Sequence, residues 1–248
     1  MKHPRGFLKL CLLIGGTLLL YSLWVFGCLF VGSRNSWRRF IYSSWAGFFK
    51  GLLGVRITVV GKVPKPPYFL VANHMGYADI PVLRSVLEGV FVAKHEISQW
   101  PVVGRIISNM GNIFINRQSR ADIPRAGEEI LAAIDIGEGV IVFPEGTSSD
   151  GAEILQFNSS FLEFAARREL PIYYASISYS IPDESKSPRT LVAWADTTPL
   201  REHVSRLFEL GGFDATVTFG EAPLSHSDRK QLAKLLHTAI TATFVPLK

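Results

Sequence analysis

The chain has 248 residues, 48% hydrophobic and 19% charged, enough for a full core in one large domain or in a domain with an appendage. A formal charge of +5 is modest for nucleic-acid binding and suits an anionic lipid surface better. Two cysteines exclude a disulfide framework, and six histidines without H-E-x-x-H or paired C-x-x-C spacing point to no metal.

Leu10 to Gly32 contains no charged residue, a run long enough to cross the roughly 30 Å hydrocarbon core as a helix. Lys2, Arg5 and Lys9 precede it, and Arg34, Arg38 and Arg39 follow it. A cleaved signal peptide is the rival, but the run exceeds the usual 7–15 or so residues and no A-x-A-like site follows, so it reads as a retained anchor. Charge on both flanks leaves its orientation nearly unspecified. The next stretch, WRRFIYSSWAGFFKGLLGV, interleaves Trp37, Phe40, Trp45, Phe48 and Phe49 with Arg38, Arg39 and Lys50, the composition of an interfacial helix. A single span plus a surface helix and a hairpin entering one leaflet both fit. Cys11 and Cys28 would lie about 25 Å apart on a continuous helix and cannot pair there. Residues 1–54 are therefore expected to form the anchor and residues 55–248 the globular domain.

VRITVV, ending at Gly61, reads as the first strand of that domain, and the Pro-rich KVPKPP turn leads to the apolar run YFLVA, a buried strand. NHMGYAD follows at 73–79, with Asp79 as a candidate N-cap and Pro81 tolerated in the first helical turn. Val90 to Ala93 reads as a strand delivering Lys94 and His95 to its end, and RIISNM as a helix stopping at Gly111. Asn112 to Asn116 is a predicted strand presenting Arg117. A helix from about Ile123 to Ile136 is expected to be capped by Asp122, with Ile123, Ala126, Ile130 and Ala133 at helical spacing. Gly139 to Phe143 is a core strand running into PEGTSS. Beyond it, Ser159 to Arg168 reads as helix, and Pro171 to Ser180, Leu191 to Ala195 and DATVTFG as strands. A last helix, with Leu232, Leu235, Leu236 and Ala239 on one face, is capped by Ser227 or Asp228. The expected fold class is α/β, a mixed sheet flanked by helices, with an N-terminal membrane-embedded helical anchor.

Polar loops after core strands are where open α/β sheets place their sites, and His74, Arg117 and Glu145 all stand at such strand ends. Five steps on one helix would set His74 and Asp79 roughly 140° apart, so a continuous helix keeps them from meeting. With His74 in the turn and Asp79 where the helix begins, the carboxylate can accept from one imidazole nitrogen and leave the other free as a base. This is the orienting half of a Ser-His-Asp triad without its serine, so the nucleophile would be the substrate's hydroxyl. From these seven residues alone, a plain helix cap and a polar turn residue remain the alternative.

NHMGYAD at 73–79, GNIFINR at 111–117, FPEGTSS at 143–149 and the Pro171 strand together resemble the four ordered blocks of glycerolipid acyltransferases, especially lysophosphatidate acyltransferases, over roughly residues 55–220. The resemblance implies His74 as general base, Asp79 as its orienting partner and Arg117 as the contact to the acceptor's phosphate. It places Glu145, Gly146 and Thr147 in the block that shapes the acceptor pocket. Lys94 would add a second positive contact, or else be a snorkelling surface lysine. Arg117 would otherwise form an ordinary salt bridge, and Glu145 would otherwise hold its own loop by accepting backbone N–H groups.

The implied reaction transfers an acyl group directly from a thioester of coenzyme A or acyl carrier protein to the free hydroxyl of a lysophospholipid. The foremost acceptor is 1-acyl-glycerol-3-phosphate, giving phosphatidic acid; another lysophospholipid, a lyso-aminolipid or glycerol 3-phosphate are the alternatives. No metal or redox cofactor is required, the partner is the lipid bilayer, and the expected location is the cytoplasmic side of an inner membrane. In the fourth block, Tyr173 and Tyr174 depart from the small aliphatic residues usual after the proline, which bears on substrate identity. A hydrolase is weakened by the missing G-x-S-x-G elbow, and a silent lipid-binding module by the intact His74 and Asp79.

Overall fold

Tyr68 to Ala72 are buried without exception, the pattern of an interior strand covered on both faces. The computed structural model describes residues 4–116, 119 and 121–248. In chain order, α1 (Pro4–Gly27) and α2 (Arg34–Leu53) lead into β1 (Val55–Val60), β2 (Tyr68–Ala72), α3 (Asp79–Val86), β3 (Val90–Lys94), α4 (His95–Ser98) and α5 (Val103–Asn109). There follow β4 (Ile113–Ile115), α6 (Asp122–Asp135), β5 (Gly139–Val142), a 3₁₀ turn (Ser159–Leu162), α7 (Glu163–Arg167) and β6 (Ile172–Ser180). After these come α8 (Pro188–Leu191), α9 (Leu200–Glu209), β7 (Phe213–Phe219) and α10 (Arg229–Thr241).

The seven strands form one sheet in the order β1-β7-β6-β2-β5-β3-β4. β6 and β7 pair antiparallel and every other neighbouring pair is parallel, so the sheet is mixed and helices cover both faces. Alternation along the strands sorts side chains between two cores. Leu70, Ala72, Ile141 and Ile177 face the layer that includes α2, α3 and α9, whereas Phe69, Val71, Val140, Val142 and Ile172 face α6, α7 and α10. Because β2, β3 and β5 are parallel, their C-terminal ends gather along one edge, and the loops carrying His74, Lys94 and Glu145 emerge there.

Ser33 starts α2 by accepting from Ser36 N, and Gly54, at φ 70, ends it in the left-handed region that a glycine adopts without strain. The inner face of α2 buries Ile41, Tyr42, Ala46, Phe49 and Leu53 in the sheet's core. Arg38 Nη2 and Arg39 Nη2 both reach Glu138 Oε1, at 2.7 and 2.8 Å, just before β5. Among the aromatic residues of this stretch, Phe49 is buried, Trp37 and Trp45 are half-buried, and Phe40 remains 60% exposed.

α1 runs back along α2, with Trp37 Nε1 donating to Trp24 O at 3.1 Å and Trp45 Nε1 to Thr17 Oγ1 at 3.0 Å. Its N-terminal part meets α9, where Gly6 lies against Ser205 and Glu209. The outer face stays apolar and open: Leu8, Leu19 and Phe26 are each 60–64% exposed, and Phe30 in the connecting turn 85%. Arg5–Gly27 is long and apolar enough to cross a membrane.

Four sequence expectations change: Asp79 and Asp122 are not N-caps but the first residues of α3 and α6, after Ala78 and Ala121, and two predicted elements differ. Leu191 to Ala195 is not a strand: Val192 and Ala193 both donate to Pro188 O, and Trp194 N donates to Met75 O, so the segment's hydrogen bonds go to a turn and a loop. Ser159 to Arg168 is helical but splits into the 3₁₀ turn, capped by Asn158, and the short α7. Asp228 is the cap of α10, accepting from Lys230 N and Gln231 N.

Candidate active site

β2 ends at Ala72, and the chain turns at once into α3, whose first residue is Asp79. Asn73 holds the start of this turn by pairing its amide with the backbone of Ile177, donating to its carbonyl at 3.0 Å and accepting from its N–H at 2.7 Å. The turn brings His74 Nδ1 to 2.7 Å from Asp79 Oδ2. A carboxylate only accepts, so Nδ1 carries a proton, and in the neutral tautomer Nε2 presents its lone pair. Nε2 has no hydrogen-bond partner among the described residues, and the His74 side chain is 21% exposed.

Asp79 is completely buried, and its charge is met on every side. Oδ2 also accepts from Met75 N at 2.7 Å and Gly76 N at 3.0 Å, while Oδ1 accepts from the Tyr179 hydroxyl at 2.6 Å. Asp79 therefore caps the turn ahead of its own helix in addition to orienting the imidazole. Burial first and the Asp79 charge second hold the Tyr179 phenol well above its usual pKa, so Tyr179 stays a donor. The His74 ring stacks on Phe143, with centroids 4.2 Å apart, and Phe143 stacks in turn on Phe91.

Glu145 lies against the same turn. Its Oε1 accepts from His74 N at 2.6 Å and its Oε2 from Leu155 N at 2.8 Å, so the carboxylate joins the two loops that flank the site. Burial pushes its pKa up to about 7, against the pull of those two backbone donors, and the Asp79 charge adds a smaller upward push. Gly146, at φ 78, makes the tight turn that returns its N–H to Phe143 O, and Thr147 is exposed. Lys94 is exposed at the end of β3. Arg117 lies outside the described residues. His74, Asp79 and Glu145 thus meet directly, and Lys94 stands on the same sheet edge two strands away, since β5 separates β3 from β2.

The Acyltransferase family model matches residues 55–178, half of the chain, including His74, Asp79 and Glu145. The chain belongs to this family. It is 29% identical over 251 residues to a lyso-ornithine lipid O-acyltransferase of Brucella abortus, covering 96% of this chain and 94% of that one. A 1-acyl-sn-glycerol-3-phosphate acyltransferase of Neisseria gonorrhoeae is 30% identical over 146 residues, 58% of this chain and 56% of that one. The crystal structure of the 1-acyl-sn-glycerophosphate acyltransferase PlsC from Thermotoga maritima shares the fold, with a TM-score of 0.67 and 21% identity over 94% of this chain and 95% of that one.

Other residues that shape the acyltransferase site stand far from its motif in sequence. Trp194 N donates to Met75 O, and Ser148 Oγ donates to Trp194 O at 2.5 Å, which clamps the loop after α8 onto the turn. Behind it, His203 Nε2–H donates to Ala193 O at 2.8 Å, and its Nδ1 accepts from the Tyr77 hydroxyl at 2.9 Å. Burial lowers the His203 pKa and raises that of Tyr77, so both stay neutral and the pair is a fixed strut. No short-range signal marks these partners, although Tyr179 lies in the Pro171 strand.

Proposed function

We propose that this acyltransferase moves a fatty acyl group from an acyl thioester to the free hydroxyl of a membrane-held lysolipid, with His74 as general base. The supporting observation is the His74–Asp79 bond at 2.7 Å, which leaves Nε2 open. The acceptor hydroxyl donates to Nε2, loses its proton there as its oxygen attacks the thioester carbon, and the carbon–sulfur bond breaks. The proton on Nε2 then passes to the departing thiolate of coenzyme A or acyl carrier protein. Base assistance of this kind is typically worth about 10²–10⁴ in rate, and buried Asp79 stabilises the imidazolium as it forms.

The acceptor we favour is a lyso-ornithine lipid, because the Brucella relative matches this chain nearly end to end. The second reading, 1-acyl-glycerol-3-phosphate, is supported by the block resemblance and by the Neisseria relative over its shorter span. α1, with its open apolar face, would hold the enzyme at the bilayer, whereas α2, the second part of the expected 1–54 anchor, packs in the core of the catalytic domain, which we place on the cytoplasmic side. An apolar cavity of about 230 Å³, lined by Leu20, Trp45, Ile80, Phe91 and Ile106 among others, begins behind the His74–Phe143–Phe91 stack and suits an alkyl chain. Purified enzyme given labelled acyl thioester with each lysolipid tests the proposal. Esterified lyso-ornithine lipid supports the first reading and phosphatidic acid the second, and free fatty acid alone would overturn both.

A further inference from the structure

Between α4 and α5 the chain passes through Trp100, Pro101 and Val102, and the apolar side chains there are open: Trp100 is 46%, Val102 59% and Val103 43% exposed. Val102 sits at φ 63, ψ −55, a conformation that a β-branched residue rarely adopts. It is held there by its surroundings. Val103 N donates to Pro101 O at 2.6 Å, Gly104 N to Trp100 O at 2.9 Å and Ile106 N to Val102 O at 2.9 Å. A side chain on Gly104 would meet Ser98 O at 2.3 Å, so this corner is closed against α4. The strained backbone is fixed by these contacts and presents three apolar side chains at the surface, the kind of outlier from which a role for the loop can be argued.

The loop is continuous with the apolar face of α1. Val103, Ile97 and Ile106 line the apolar cavity on one side, and Leu20 and Tyr21 of α1 line it on the other. Asn109 Nδ2 ties the two walls together by donating to the Tyr21 hydroxyl at 2.6 Å. Leu18 and Val25, each about one turn from Tyr21, are both 44% exposed. Exposed Lys94 and Arg105 outnumber exposed Glu96 around the loop, a balance that suits anionic headgroups.

We infer that the Trp100–Val103 loop enters the same membrane leaflet as α1, so that the cavity between them opens into the acyl region of the bilayer and lipid chains enter it sideways. This rests on the reading of α1 as a membrane element. The test uses the full chain with Cys11→Ser and Cys28→Ser, carrying one new cysteine at a time: Phe30→Cys, Val102→Cys or Ser227→Cys. All three positions are exposed, so labelling with an environment-sensitive fluorophore leaves the core untouched. Vesicles of phosphatidylcholine and phosphatidylglycerol, with and without nitroxide-labelled acyl chains, supply the membrane. Blue-shifted, several-fold brighter and nitroxide-quenched signals at 30 and 102, with 227 unchanged, are expected. A response at 30 without one at 102 overturns the loop's insertion and leaves the membrane reading standing. No response at either position overturns both.

Discussion

The Tyr179 hydroxyl donates to Asp79 Oδ1 at 2.6 Å, so the carboxylate that orients His74 is itself held at its second oxygen. Asp79 is wholly buried, and a buried carboxylate oxygen left without a donor costs about 1–3 kcal/mol. Tyr179→Phe removes the donor and keeps the ring that packs edge-on against Phe213. If about 1–2 kcal/mol of the loss is felt in the transition state, kcat falls about 5–30-fold. Tyr179 acts through Asp79, so both KM values should hold. Steady-state kinetics on the folded variant decide this, and an unchanged kcat would remove the positioning role.

His74→Ala should lower transfer by at least the 10²–10⁴ or so expected of a general base, with little change in melting temperature. The side chain is partly exposed and its main packing contact is one face of Phe143. Asp79→Asn should be the less stable of the two, because its amide oxygen can keep the backbone donors that Oδ2 serves only if its nitrogen faces the Tyr179 hydroxyl, and the buried charge that these donors surround is lost. Thermal unfolding beside product formation separates the effects; wild-type turnover in His74→Ala protein would end the base assignment.

The dyad was legible because its geometry is local: five residues, one turn and one helix start. β2 and β5 were equally plain, since interior strands need unbroken apolar runs. Tyr179 was not, because a contact spanning 100 residues leaves no trace in spacing. Leu191 to Ala195 has a strand's composition, but Trp194 N and the N–H groups beside it go to a loop and a turn. Arg38 and Arg39 show a further limit, for composition cannot tell an arginine facing headgroups from one that meets a carboxylate distant in sequence.

That carboxylate, Glu138, is 3% exposed and serves both arginines, so Glu138→Gln leaves two cations poorly compensated. A loss of about 3–5 kcal/mol is expected by urea unfolding. Truncation probes the same attachment. A chain of residues 34–248 keeps α2 and should unfold cooperatively, whereas residues 55–248 lose the buried Ile41, Tyr42, Phe49 and Leu53, each worth about 1.5–3 kcal/mol. Equal stability of the two fragments would contradict the role of α2 in the core.

Glu145 should make stability depend on pH. Its folded pKa of about 7 lies above the 4.5 of the free carboxyl, so between these values the folded protein keeps a proton that the unfolded chain has released. Stability from this group is complete below about pH 4.5 and is lost as pH rises through 7, by up to about 3 kcal/mol. Glu145→Gln has no such titration but loses one of the two backbone contacts, so it should melt lower at acid pH, with the gap from wild type narrowing towards pH 8 or so. A gap independent of pH would show that Glu145 keeps an ordinary carboxyl.

Replacing Arg117 should affect the acceptor and the donor differently. The family resemblance implies that it contacts the acceptor's phosphate; if it does, a guanidinium fork can also pair with the carboxylate of an ornithine headgroup, through two parallel hydrogen bonds. Arg117→Ala should therefore weaken either acceptor, by about 2–5 kcal/mol in a desolvated site. Arg117→Lys should recover part of this, because a point charge attracts the anion without matching its plane. If the thioester binds away from Arg117, the donor's KM should move far less. Varying each substrate separately, with lyso-ornithine lipid and with 1-acyl-glycerol-3-phosphate, gives the answer. An Arg117→Ala enzyme with unchanged kcat/KM for both acceptors would pass the role to Lys94, the exposed cation at the end of β3.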